Sequence, residues 1–402
     1  MPGRHFLQIP GPTNVPDRVL RAMDRPVPDH RGGELPALVS EVASGLKQIF
    51  QTASGEIALF AASGTGGWEA SLVNTLNPGE RVLAFNLGQF SHLYAECARG
   101  LGAVVDEVDV PWGSGVPADV VHERLRSDRG HAYAAVLVVH NETSTGVTSN
   151  VRAVREAIDA AGHPALLLVD TVSSLASIDF RFDEWKVDVA LAGTQKGLML
   201  PPGMAVVCVG PRALARGEDV RSPRYFFDWR PVLAEMQRGY FPYTPATLML
   251  YGLREAVRML AEEGLPNVFA RHGRLAEGVR RAVRAWGLSI VCRNPQEYSN
   301  TLTAVMMPDG IDADGVLRMA AQRLDLSLGT GLGRLKSRAF RIGHLGALNE
   351  LEVLATVAGV EMVLTMAGVR IPLGAGVTAC QKFFLEEQLV PVSQPPGQGR
   401  IT

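Results

Sequence analysis

Short apolar runs alternate with stretches of helical period along the first half of the chain. The runs are "EIALF" (56–60), "RVLAF" (81–85), "AVVDEV" (103–108), "AAVLVV" (134–139), "ALLLVD" (165–170), "VDVALAG" (187–193) and "MAVVCVG" (204–210). Each is predicted as a strand. Several are nearly unbroken in Val, Leu and Ala, the pattern of parallel strands buried on both faces. Helices are predicted between them over 67–76, 90–101, 117–127 and 151–161, with Asn150 as the N-cap of the last. Ahead of the first strand, Leu38, Val39, Val42, Leu46 and Ile49 recur at helical spacing within 35–50, and 18–23 reads as a short helix. Alternation of this kind predicts an α/β fold with a mostly parallel sheet.

The pattern changes after "PYTPATLMLYGLREAVRMLAEEG". One long helix is predicted over 247–263, closed by Gly264, and a second over 267–286. Then "SNTLTAVMM", "DADGVLRMAAQRL", "AFRIGHLG" and "NELEVLATVAGVEMVLTMAG" read as strand, helix, strand, helix. That set is enough for a smaller α+β domain. The expected organisation is an extended Pro- and Gly-rich N-terminal arm (1–20), a large domain (21–265), a small C-terminal domain (266–390) and a flexible polar tail (391–402).

Composition narrows the classes. The chain has 402 residues, long enough for two domains, and a net charge of -2. Such a balance gives no bulk electrostatic case for nucleic acid or an anionic membrane, so any anion site must be local. No run of ~18 apolar residues predicts a membrane span. Cys97, Cys208, Cys292 and Cys380 have no metal-binding spacing, so no metal site is expected and the thiols are read as free. With no signal-peptide pattern in "MPGRHFLQIPGPTN" and no address signal in "GRIT", a cytoplasmic protein is expected.

Four features fall at predicted strand exits, where open α/β sheets put their ligands. "AASGTGGWEA" (61–70) opens a helix with Gly64, Gly66 and Gly67, flanked by Ser63 and Thr65; it is either an anion-binding loop or a Gly-rich turn. Asp170 ends a buried strand, either as a capping residue or as partner to a cation. Lys196 follows another strand in "LAGTQKGLMLPPG", where Gly and Pro shape a tight loop. It is either a surface charge or an amine whose pKa burial would lower. "HNETSTG" (140–146) adds polar donors, with His140 read as a satisfied core histidine. A lysine, an aspartate and an anion loop at one sheet edge are what pyridoxal phosphate requires: an amine for its aldehyde, a carboxylate for its ring nitrogen and donors for its phosphate.

At these residues the chain resembles the class V aminotransferases of the fold-type I pyridoxal phosphate enzymes, in particular their serine–glyoxylate and alanine–glyoxylate branch. "PGPTN", "SGTGGWEA", "HNETSTG", "DTVSS", "TQKG", "PYTP" and "FRIGHLG" occur in order over nearly the whole chain. The resemblance implies a homodimer with shared active sites. It implies that Lys196 is the Schiff-base lysine, that Asp170 holds the pyridine nitrogen and that Val172 packs on the ring. Ser63, Gly64 and Thr65, with Gln195 nearby, match the phosphate loop. Phe90 matches a stacking aromatic that is Trp in some relatives, and Thr143 a hydroxyl near the ring oxygen. Arg341 matches the arginine that grips the substrate carboxylate. Thr244, with Tyr243 preferred over Phe241 and Tyr240, matches phosphate ligands from the other subunit. Thr171 is larger than the residue usual after the aspartate, which bears on the tilt of the ring. Arg31 either binds a second substrate carboxylate or is a solvated or inter-subunit charge. The implied reaction moves an amino group from a small L-amino acid, serine first and aspartate or alanine as alternatives, to glyoxylate. Its products are glycine and a keto acid, hydroxypyruvate when serine is the donor. A cysteine desulfurase would need a mobile-loop cysteine, and Cys292 and Cys380 are not in such a loop. A nicotinamide-binding loop would need glycine spacing that is absent.

Overall fold

A computed structural model describes residues 3–388; the tail expected over 391–402 lies outside them. In chain order the strands are β1 (Phe6–Gln8), β2 (Glu56–Phe60), β3 (Arg81–Asn86), β4 (Val104–Asp109), β5 (Tyr133–Val139), β6 (Asn141–Glu142), β7 (Val147–Thr148), β8 (Leu166–Asp170), β9 (Val189–Gly193), β10 (Ala205–Val209), β11 (Ser289–Ile290), β12 (Leu302–Met306), β13 (Leu326–Thr330) and β14 (Ala339–Gly343). Among the described residues, seven of these form one sheet in the order β2-β10-β9-β8-β5-β3-β4. All but β10 run the same way; β10 is antiparallel to both of its neighbours. Its apolar run does not reveal this, because β8, β9 and β10 are all buried throughout whichever way they run. The cause is the connection: 194–204 is too short for the crossover of roughly a dozen or more residues that a parallel pair needs.

The helices that cover this sheet bury their apolar stripes against it. Leu35–Phe50 buries Leu38, Val39, Val42, Leu46 and Ile49, the i, i+1, i+4, i+8, i+11 set of one face. Moving each such side chain out of water contributes about 1.5–3 kcal/mol. Gln89–Gly100, Ala118–Ser127 and Val151–Ala160 start and stop within one residue of expectation, and Asn150 Oδ1 accepts from the Ala153 N–H at 3.0 Å. The predicted 67–76 helix instead runs Gly64–Val73, because the glycine turn itself is its first turn. Three helices, Pro211–Asp219, Trp229–Gln237 and Ala375–Gln388, were not anticipated. The first buries only Ala213 and Gly217, so it carries no apolar stripe to read.

A five-stranded sheet, β1-β13-β14-β12-β11, lies in the C-terminal part. Its edge strand β1 comes from the N-terminal arm and pairs parallel with β13, Phe6 opposite Leu326. One apolar core runs from Val19 to Val268 and a second from Leu275 to Phe384. After β1 the arm crosses back, and the Thr13 N–H donates to the Gln195 carbonyl at 3.0 Å. Register aligns the strand exits: Val139 faces Asp170, Asp170 faces Leu191, and Ala205 sits between Phe60 and Gly193. The loops after β2, β5, β8 and β9 therefore share one edge. Among the described residues no helix is long and apolar enough to cross a membrane.

Candidate active site

A cavity of about 160 Å³ opens at that edge, lined from all four loops and from the arm. Ser63, Gly64, Thr65, Phe90, Thr143, Asp170, Val172, Gln195 and Lys196 all line it, together with Trp68, Asn141, Ser173, Gly11 and Pro12. Tyr243 and Thr244 do not line it. The Tyr243 ring stacks on Phe226 at 4.9 Å and its hydroxyl donates to the Phe226 carbonyl. Arg31 is exposed and borders a separate cleft with Tyr240 and Phe241.

Lys196 sits where β9 gives way to a tight turn. The Met199 N–H returns to the Lys196 carbonyl at 2.9 Å, and the Thr194 N–H to Met204 at 3.0 Å. Gly197 has no room for a side chain, since a Cβ would strike the Leu175 carbonyl. The lysine is buried, and its Nζ donates to the Pro10 carbonyl of the arm. Burial pushes its pKa down to about 8; the positive charge of Arg341 adds to the fall and Asp170 opposes it. An amine with that affinity is neutral in a useful fraction near pH 7, so it can act as nucleophile or base.

Asp170 ends β8 with its carboxylate turned into the cavity. Oδ2 accepts from the Trp68 indole N–H at 2.7 Å and Oδ1 from the Val172 N–H at 2.7 Å. Burial raises its pKa to about 6, against those two donors, which favour the charged form. A buried carboxylate held this way lacks only a cation. Thr171 turns away: its hydroxyl donates to the Leu191 carbonyl at 2.8 Å, so its bulk is absorbed between β8 and β9 and does not reach the cavity.

Another part of the lining is the start of a helix. Ser63 precedes the Gly64–Val73 helix, and no side chain caps that helix. Ser63, Gly64 and Thr65 at that helix start line the cavity, and a helix N-terminus favours an anion. A Cβ on Gly64 would crowd the Val172 side chain at 2.6 Å, so glycine brings this backbone against the cavity. Among the described residues Gln195 Oε1 is buried with no hydrogen-bond partner.

Arg341, on β14, approaches from the other sheet. It is buried, its Nε donates to the Thr330 carbonyl at 2.8 Å and its Nη1 to the Thr143 carbonyl at 2.9 Å. Among the described residues it forms no ion pair, and burial lowers its pKa to about 10. The guanidinium is thus fixed by two carbonyls with no carboxylate in ion-pair contact, although the charge of Glu142 is near enough to oppose the fall in its pKa. His140 is a core histidine: its Nδ1 lies 2.9 Å from Ser174 Oγ, its ring packs near Phe180 and Trp185, and burial lowers its pKa to about 4. Two residues of the sequence motifs make contacts that their local sequence does not report. The Trp68 indole N–H donates to Asp170, and Glu142 accepts from the Ser91 N–H of the helix that carries Phe90. Both contacts join residues more than fifty positions apart, which no local pattern reports.

The cavity thus brings together a buried amine, a buried carboxylate and an uncapped helix start, while Arg341 lies near Lys196 without lining the cavity. The profile of the class-V aminotransferases matches residues 5–333, and the chain belongs to that family. Its architecture is that of the fold-type I transferases. It is 50% identical over 393 residues to a serine–glyoxylate aminotransferase of Methylorubrum extorquens, covering 96% of this chain and 98% of that protein. It is 45% identical to an L-aspartate–glyoxylate aminotransferase of Paracoccus denitrificans, covering 96% and 97%. The structure of a ureidoglycine–glyoxylate aminotransferase from Bacillus subtilis superposes with a TM-score of 0.90 at 29% identity, covering 96% and 99%.

Proposed function

We propose that the protein binds pyridoxal 5′-phosphate through Lys196 and transfers the amino group of serine to glyoxylate, giving hydroxypyruvate and glycine. One observation carries this reading: Lys196 and Asp170 meet in one buried cavity that also presents an uncapped helix start. The residues present fit the cofactor. Among the described residues Asp170 is the one carboxylate lining the cavity and suits a protonated ring nitrogen, Val172 and Phe90 are apolar walls for a ring, and Thr143 is a hydroxyl beside it. Ser63, Gly64 and Thr65 suit a phosphate, and Gln195 beside them can donate from its Nε2. When bound, the cofactor supplies an aldehyde that carries the amino group and a ring that withdraws electrons from it.

The chain's own residues supply the rest. Arg341, already aligned by two carbonyls, grips the α-carboxylate of amino acid and keto acid alike. Lys196 Nζ, whose pKa burial lowers to about 8 so that a fraction of the amine is neutral near pH 7, takes the proton from the substrate's Cα and returns it in the reverse half. Asp170 keeps its negative charge against the ring nitrogen because Trp68 and Val172 donate to it. Alternate use of one site by two substrates gives ping-pong kinetics.

The donor choice rests on charge and on relatives. Among the described residues Lys196 is the one cation lining the cavity, and Arg341 is near it without lining it, so no second buried cation in this chain's cavity awaits a distal carboxylate. A small neutral side chain such as that of serine or alanine suits that site better than aspartate, and the 50%-identical relative is a serine enzyme. Aspartate remains the alternative, favoured by the 45%-identical relative and by Arg31 if that residue serves another subunit. Tyr243 and Thr244, being absent from their own chain's cavity, fit a homodimer in which they reach the partner's phosphate. The two separate cores suit a large domain over 21–265 and a small one over 266–390. The free cysteines suit a reducing compartment such as the cytoplasm. The test is a comparison of kcat/KM for serine, alanine and aspartate with glyoxylate. Serine as the poorest donor would defeat the assignment.

A further inference from the structure

Glu142 has no part in the reading above, yet it is fully buried beside the site. Among the described residues its carboxylate forms no ion pair. Oε1 accepts from the Ser144 N–H at 2.9 Å, the Ser144 hydroxyl at 2.7 Å and the Phe90 N–H at 3.3 Å. Oε2 accepts from the Ser91 N–H at 2.8 Å. The Ser144 hydroxyl in turn accepts from the Gln89 N–H at 2.9 Å. The N–H groups of Gln89, Phe90 and Ser91 are thus met from a hairpin about fifty residues away, while the Ser91 hydroxyl locally accepts from the Leu87 and Gly88 N–H groups at 3.1 Å. Gly88 permits this approach, because a Cβ there would strike the Glu142 carboxylate. Phe90, second in that helix, lines the cavity. The next hairpin residue, Thr143, holds Arg341 through its carbonyl and donates its hydroxyl to Ser173 Oγ at 2.8 Å.

We infer that Glu142 is a positioning residue: its carboxylate fixes the start of the Gln89–Gly100 helix and with it the Phe90 ring against the cofactor. This rests on the pyridoxal phosphate reading. A glutamine at this position turns an NH₂ group toward backbone N–H groups, donor against donor, and the helix start moves away with Phe90.

Pyridoxal phosphate binding is measured on cofactor-free wild type, Glu142→Gln, Phe90→Leu and the double variant, with visible circular dichroism of each loaded protein. Glu142→Gln weakens binding about tenfold and diminishes the dichroic band. Phe90→Leu then costs less affinity in the Glu142→Gln background than in wild type, because both changes act on one contact. Ser144→Ala shifts both readouts the same way by a smaller amount, and it carries the test if Glu142→Gln does not fold. Additive losses in the cycle, or wild-type dichroism in the variants, would overturn the positioning role. Failure of the wild type itself to bind pyridoxal phosphate overturns the reading beneath it instead.

Discussion

Asp170→Asn isolates the electrostatic part of the site. The amide has nearly the shape of the carboxylate, and its oxygen can still accept from Val172 or Trp68, which lie 2.7 Å away on either side. What it loses is the negative charge. Asp170 is only 4% exposed, so water screens that charge little. Two unit charges at ~4 Å, with an effective dielectric constant of about 20, attract by roughly 4 kcal/mol. At 1.36 kcal/mol per tenfold, that corresponds to a factor of about a thousand in the hold on a protonated ring nitrogen. The account therefore expects kcat for serine–glyoxylate transfer to fall by about 10²–10³, with folding intact by thermal unfolding and the cofactor still bound. The assay is steady-state hydroxypyruvate formation on protein whose cofactor content has been measured by absorbance. Turnover within about threefold of wild type at full occupancy would refute the reasoning.

Other perturbations follow from the same geometry. Arg341→Ala raises KM for amino acids and keto acids alike by about a hundredfold, since it removes a buried charge that meets the shared carboxylate; a KM change confined to one substrate contradicts this. Trp68→Phe removes one donor to Asp170, which raises the aspartate's pKa. The acid limb of the pH–rate profile then moves to higher pH and kcat falls about tenfold; a profile superimposable on wild type contradicts it. In cofactor-free protein, capture of pyridoxal phosphate requires neutral Lys196. Because its pKa is lowered to about 8, the rate rises with pH and is half-maximal near 8. A midpoint at the ordinary 10.5 would mean the lysine is exposed.

Much of this site is written in local sequence. Asp170 and Lys196 each follow an apolar run long enough for a strand, and parallel strands bring their exits together. The glycine turn at 63–67 follows a third such run. What local pattern does not carry is long-range partnership. The direction of β10 depends on the length of the 194–204 loop and not on the run "MAVVCVG". The grip of Trp68 on Asp170 depends on how the Gly64–Val73 helix lies across the sheet. Glu142 looks in sequence like one polar residue among several in "HNETSTG"; its role appears only when the Gln89–Gly100 helix start is seen against it. The arm reads as irregular, yet β1 completes the edge of the smaller sheet, and its three residues are too few for a visible alternation.

Reductive trapping reads out whether the cofactor is bound covalently at Lys196. Protein loaded with pyridoxal phosphate is treated with borohydride, digested and mapped by mass spectrometry. The account predicts one pyridoxyl adduct, on Lys196, with loss of the visible band. An adduct on another lysine, or none on a protein that still transaminates, would contradict it.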